Sequence, residues 1–171
     1  MEEKQLVLYS RAGDKQAFCE LYGRYKDRLY RYAYYRLGNA DDAEDAVSDC
    51  VLAAFEQIKN LHRPEAFPAW IFKILYRSCA QIIAAQAARR KMADINGYND
   101  SLQTDMNAAI EKTELAEALA ILKDEEKEIV LLSVVSGLNS KEIARVTEFT
   151  PGAVRSKLSR SLAKMRTFLE G

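Results

Sequence analysis

Helix breakers and reactive side chains are scarce in this chain. Only three prolines and seven glycines punctuate 171 residues, which permits long uninterrupted helices and disfavours a turn-rich β fold. A single histidine, His62, falls in a loop, and no Ser/His/Asp constellation, metal-ligand spacing or glycine-rich phosphate loop accompanies it. The sequence therefore offers no catalytic, metal or cofactor site, and enzymatic activity is not expected. The cysteines (Cys19, Cys50 and Cys79) are odd in number and lack a CxxC spacing. Each lies in an apolar helical pattern, so small core residues in a reducing compartment are expected. No apolar run approaches the ~20 residues that span a bilayer. The opening MEEKQLVLYSRAG lacks the apolar core of a signal peptide. These absences lead to the expectation of a cytoplasmic protein that does not insert into membranes. Charge of one sign is missing too: 25 Lys and Arg balance 25 Asp and Glu, so affinity for a nucleic acid must come from local patches.

What is present is helical periodicity, with no repeat and no alternating strand pattern. The spacing predicts helices near 2–10, from an Asp14 cap to about 36, over 41–58 behind an Asn39 cap, and over about 65–90. Residues 92–107 (MADINGYNDSLQTDMN) lose periodicity and gain Asn, Asp, Gly and Ser, the composition of a flexible linker. Four more helices are predicted at about 108–122, 124–135, 140–147 and 151–169. The expectation is an all-α chain of two small helical domains, 1–91 and 108–171, joined by a flexible linker and free to move independently.

Charge is segregated along this frame. Residues 145–171 carry six Lys/Arg against two acids, residues 96–128 carry three against nine, and residues 41–56 carry none against six. The basic end has the form of a helix-turn-helix. Asn139 and Glu142 make a capping box, and Thr150–Pro151 is a second start signal, an N-cap hydroxyl before a proline at the first helical position. Val154, Leu158, Leu162, Met165 and Leu169 give the apolar stripe of the second helix. Arg155, Ser156, Lys157, Ser159, Arg160 and Lys164 lie beside or opposite it, the residue types that reach base edges and phosphates. Glu148 stands at the turn, where the motif often has glycine.

In the third helix Ala43, Val47, Cys50, Val51, Ala54 and Ile58 form one face. Asp41, Asp45, Asp49 and Glu56 line the other, with Leu52 among them. The plain reading is a solvated face. The lack of any Lys or Arg within 41–56 removes the usual i,i+4 pairing and points instead to a docking surface for a basic partner. In the fourth helix Phe67, Trp70, Ile71, Ile74, Leu75 and Ile82 make the core stripe, while Lys73, Tyr76 and Arg77 project elsewhere. Rings interleaved with cations suit single-stranded nucleic acid. The six tyrosines from Tyr22 to Tyr35 read as packing with a wet edge.

Three tracts in register, DAEDAVSDCVLAAFEQI, FPAWIFKIL and LKDEEKEIVLLSVVSGLNSKEIARVTEFTPGAVRSKLSRSLAKMR, resemble bacterial extracytoplasmic-function sigma factors over nearly the whole chain. The resemblance implies a region 2 domain (1–91) and a region 4 domain (108–171). Asp45, Ser48, Asp49 and Leu52 would bind core RNA polymerase. His62, Arg63, Lys73, Tyr76 and Arg77 would melt and read the −10 promoter element. Arg155, Ser156, Lys157, Ser159, Arg160 and Lys164 would meet the −35 duplex, with Lys157 and Lys164 nearer phosphates. An anti-sigma factor is the implied regulator. The tracts depart from the family pattern at Ser48, Arg77 and Gln81, so the −10 preference is not carried over. Two other readings use the same residues: a sigma-like mimic that sequesters an anti-sigma factor, and a stand-alone helix-turn-helix regulator. The basic face of the last helix argues against the first. The tryptophan tract and acidic helix argue against the second.

Overall fold

The computed structural model describes residues 1–97 and 112–171, and every element among them is helical. The order is α1 (Glu3–Arg11), α2 (Lys15–Leu37), α3 (Ala40–Gln57), short 3-10 turns at Ile58–Asn60 and Pro64–Ala66, and α4 (Phe67–Asn96). Then come α5 (Glu114–Ala120), α6 (Asp124–Val130) running on as a π turn at Leu131–Val135, α7 (Ser140–Thr147) and α8 (Pro151–Glu170). None of the described helices is long and apolar enough to cross a membrane.

The helix ends follow from local chemistry. Asp14 accepts from the Ala17 N–H at 3.1 Å to start α2, which closes on Gly38 with φ 84°. Asn39 accepts from the Asp42 N–H at 2.8 Å to start α3, whose first turn carries Asp41 and Asp42 where the helix dipole favours acids. Two boundaries differ from the sequence expectation. Met92–Asn96, placed in the linker, continue α4, because nothing in MADIN stops a helix before Gly97 takes the left-handed conformation at φ 77°. The fifth helix, expected from 108, begins at Glu114, where the Thr113 side chain caps it by accepting from the Ala116 N–H at 3.1 Å. The remainder of the proposed linker, and the start of that expected helix, lie outside the described residues.

The N-terminal half packs α2, α3 and α4 around Leu21, Leu29, Tyr32, Phe67, Ile71 and Phe72, each no more than 1% exposed. Small residues on α3 (Ala43, Ala46, Cys50 and Ala54) let that helix approach closely. Burial pushes the thiols of Cys50 and Cys79 up to about 12, which leaves them inert core groups. Cys19 departs from the expectation: it sits on the exposed side of α2, since the buried positions there are taken by Ala17, Phe18 and Leu21. The C-terminal half gathers α6, α7 and α8 around Leu119, Ile129, Leu131, Leu132, Ile143 and Val154.

These halves do not stand apart, as independent lobes would. α4 packs on α7, and α2 packs on the π turn. Arg28 donates from Nη1 to the Ser136 carbonyl at 3.3 Å. Deeper in the seam, the Arg36 guanidinium touches the carboxylate of Glu128, which is 4% exposed. Burial pushes the Glu128 carboxyl up to about 8, and Arg36 beside it acts in the opposite direction by favouring the charged form.

A carboxyl raised in the folded protein holds a proton there that it sheds when exposed. Its stabilising contribution is therefore complete below the ordinary glutamate value and is lost as pH rises through about 8. We expect the Tm of the wild type to fall as pH rises from the ordinary glutamate value of 4.5 to about 8 and to level off above it, and Glu128→Gln to remove that part of the slope. A wild-type profile no steeper than that of Glu128→Gln would mean that Arg36 keeps the carboxylate charged throughout.

Candidate nucleic-acid and partner interfaces

The helix-turn-helix is built by its caps. The Asn139 side chain accepts from the Glu142 N–H at 2.9 Å, and Glu142 accepts from the Asn139 N–H at 3.0 Å. Thr150 Oγ1 accepts from the Ala153 N–H at 3.1 Å, with Pro151 at the first helical position. Between these caps Glu148 takes the left-handed conformation at φ 70°, the only non-glycine among the described residues to do so. The chain makes the turn without the usual glycine by holding a glutamate in a conformation disfavoured by about 1–2 kcal/mol.

The buried stripe of α8 is not the one the apolar spacing predicts. Val154, Ser161 and Met165 are buried and Leu158 is half-buried, while Leu162 and Leu169 are 40% and 53% exposed. Ser161 occupies the inner position because it is small where α8 crosses its neighbours. Its hydroxyl donates to the Lys157 carbonyl at 2.6 Å, which removes the penalty of burying it. The six residues expected at the −35 duplex divide accordingly. Arg155, Ser156, Ser159 and Arg160 are exposed, and both arginines are without an ion pair among the described residues. Lys157 and Lys164 face α6, where Lys157 Nζ lies 3.2 Å from Glu125 and Lys164 Nζ lies 2.7 Å from Glu126. Lys157 also stands 5.1 Å from the centre of the Phe149 ring. Hydrogen bonding from Lys164 and from the Lys123 N–H holds the Glu126 carboxyl below its ordinary value. Arg166, not singled out from the sequence, is exposed three turns after Arg155 on the same side of α8.

On the other half, Asp45, Ser48, Asp49 and Leu52 are all exposed on α3, with Leu52 at 62%. Asp41, Glu44, Asp45 and Asp49 make no ion pair among the described residues, whereas Asp42 is engaged by Asn39 and Gln86. Phe55, one turn beyond Leu52, is exposed on the same helix and meets Phe18 edge-on at 5.2 Å. Its signal was available in the sequence, since it follows Leu52 at the i+3 spacing. A groove of about 460 Å³ borders this stripe between α2 and α3, walled by Tyr22, Tyr30, Glu44 and Ser48.

The residues expected at the −10 element form two sets. His62 and Arg63 are exposed on the loop ahead of α4, where Arg63 has only a 3.5 Å contact to the equally exposed Glu65. Lys73 and Tyr76, half-buried, and Arg77, exposed, share one side of α4 in its second and third turns. Trp70 packs its ring against Phe67 at 5.9 Å and is half-buried, as the core stripe requires.

Similarity to known proteins divides the chain in the same way. It matches the family model of sigma-70 region 2 over residues 21–89 and that of sigma-70 region 4 over residues 112–165. It is 30% identical over 170 residues to the ECF RNA polymerase sigma factor BldN of Streptomyces coelicolor, a match covering 94% of this chain and 64% of that relative. It is 30% identical over 142 residues to the RNA polymerase sigma factor SigV of Bacillus subtilis, covering 83% of this chain and 84% of SigV. The chain thus spans just under two thirds of BldN's length. Its fold is that of CnrH in complex with the cytosolic domain of CnrY (TM-score 0.74, 23% identity, 98% of this chain and 97% of that one). It is also that of RpoE in complex with the anti-sigma factor NepR from Bartonella quintana (TM-score 0.71, 19% identity, 90% and 96%).

Replacing Glu148 with glycine removes the left-handed strain at the turn. Glu148→Gly is expected to stabilise the chain by about 1 kcal/mol, read as a higher urea midpoint at unchanged m-value. A lower midpoint would mean that the glutamate side chain stabilises the turn by more than its backbone costs.

Proposed function

The chain belongs to the extracytoplasmic-function group of sigma-70 RNA polymerase sigma factors, and we propose that it binds core RNA polymerase and directs it to particular promoters. The observation that carries this reading is the separation of two chemically opposite surfaces. An unpaired acidic stripe on α3 lies in the half that matches region 2, and open cations on α8 lie in the half that matches region 4. Asp45, Ser48, Asp49 and Leu52 are the proposed polymerase contacts, where carboxylates meet basic side chains around a leucine anchor. Arg155, Ser156, Ser159 and Arg160 would read the −35 duplex in the major groove, where arginine forks onto guanine. His62, Arg63, Lys73, Tyr76 and Arg77 would engage the −10 strand once it is opened, by stacking and phosphate contact.

In this role the chain binds and positions, and RNA synthesis is the polymerase's chemistry. Its place of action is the cytoplasm, and its controlling partner is an anti-sigma factor. A domain boundary after Asn96, at the Gly97 stop, fits this division better than one after Lys91.

The test is run-off transcription with bacterial core polymerase on a promoter library, with the chain present or absent. Transcripts that depend on the chain and share −35 and −10 motifs are the expected result. Asp49→Lys should abolish them and lose binding to core enzyme while leaving the circular dichroism spectrum unchanged. Core binding undiminished by Asp49→Lys would return the acidic stripe to a solvated face. No transcripts and no core binding by the wild type would favour the anti-sigma-binding mimic.

A further inference from the structure

The two lysines on the flank of α8 are held by a neighbouring helix, and this bears on how α8 meets DNA. Lys157 and Lys164 are seven residues apart, two turns along one side, between the buried stripe and the open face. The first turn of α6 is acidic (Asp124, Glu125 and Glu126) and lies against that side. Glu125 takes Lys157 at 3.2 Å, and Glu126 takes Lys164 at 2.7 Å. The second carboxylate is fixed before the lysine arrives. Glu126 is half-buried and caps its own helix by accepting the Lys123 N–H at 3.1 Å.

Resting on the DNA-reading role proposed for α8, we infer that Glu125 and Glu126 are specificity-determining residues, which act by keeping Lys157 and Lys164 off the phosphate backbone. Sequence-blind affinity for DNA grows with each phosphate that a cation neutralises. The side chains that would read bases are untouched by the α6 pairs, so the pairs subtract from the sequence-blind part of binding alone. The ion pairs are weak, being partly exposed, and a phosphate can displace them. Each displacement leaves a bare carboxylate beside the phosphate that replaced it. Base contacts from Arg155 and Arg160 hold matched DNA in a single seat on α8 that leaves both pairs intact. Unmatched DNA is held by phosphate contacts and must draw on the lysines, so the penalty falls on unmatched DNA.

The test compares the full chain with Glu125→Gln/Glu126→Gln, a variant that keeps the capping box because glutamine serves equally well at its third helical position. Glu114→Gln/Glu117→Gln is the matched-charge control: it removes two acids from α5, which meet neither lysine. Binding is followed by fluorescence anisotropy at several salt concentrations. The probes are a mixed-sequence duplex and a duplex selected by the wild-type chain from a randomised pool. Freeing two lysines should tighten binding to the mixed duplex about tenfold at low salt and steepen the salt dependence of log K by about 1.8. The ratio of selected to mixed affinity should fall, while the α5 control keeps the wild-type slope and ratio. Equal behaviour of the two double variants would overturn the inference and reduce the effect to net charge. An unchanged ratio in the α6 variant would overturn it as well. Failure of every variant, and of the wild type, to bind either duplex would instead remove the DNA-reading role and take this inference with it.

Discussion

The orientation of the C-terminal half depends on a buried contact between Glu128 on α6 and Arg36 on α2. A buried contact of this kind is rarely worth more than a well-packed apolar pair of the same volume, yet removing one partner leaves the other polar group buried without one. Its physical effect is thus selective. Of the many ways two helical halves can touch, few give both groups a partner, and this seam is one. Lys127, next to Glu128 in the chain, has its ammonium pushed down by burial and by Arg36. Arg28 anchors a second point on the Ser136 carbonyl, and two anchors fix a rotation as well as a contact.

Electrostatics then distribute the work of a chain with no net charge. Among the described residues the acids on α3 make no ion pair, which leaves them open to a basic partner. On α6 the same residue types sit against lysines of α8 and are consumed within the fold. The difference is one of neighbours: α3 presents its acids on its outer face, whereas the first turn of α6 abuts the flank of another helix. Acids stand in both tracts, and packing decides which of them meet a cation within the fold.

Legibility in the sequence tracked the range of the interaction responsible. Asp14, Asn39, Asn139 and Thr150 were readable as caps because a cap joins atoms three residues apart, and all four accept the N–H expected of them. The exposed acids of α3 were readable because their lack of i,i+4 partners is also local. The partners of Lys157 and Lys164 were not, since they lie 32 and 38 residues away on another helix. Leu162 and Leu169 were misplaced because an apolar side chain marks a core position only where a neighbouring element covers it. Ser161 took the inner place for its size, which a hydrophobicity pattern does not weigh. The seam was the least visible feature, with Arg28 and Ser136 separated by 108 positions.

The π turn at Leu131–Val135 carries a consequence for how this chain tolerates change. A π turn holds about one residue more than an α turn, and each residue in a helix is rotated from the one before it by about 100°. Deleting a single residue there would let α6 run on as regular helix, with its hydrogen bonds intact and its hydrophobic content nearly the same. The turn still closes one full rotation, so α7 and α8 would keep nearly their bearing relative to Glu128. A deletion in the α-helical part of α6 has no spare residue to draw on and would turn everything after it by more than a quarter of a circle. The π turn is therefore the place along α6 where the chain can shorten by one residue and still point α8 the same way.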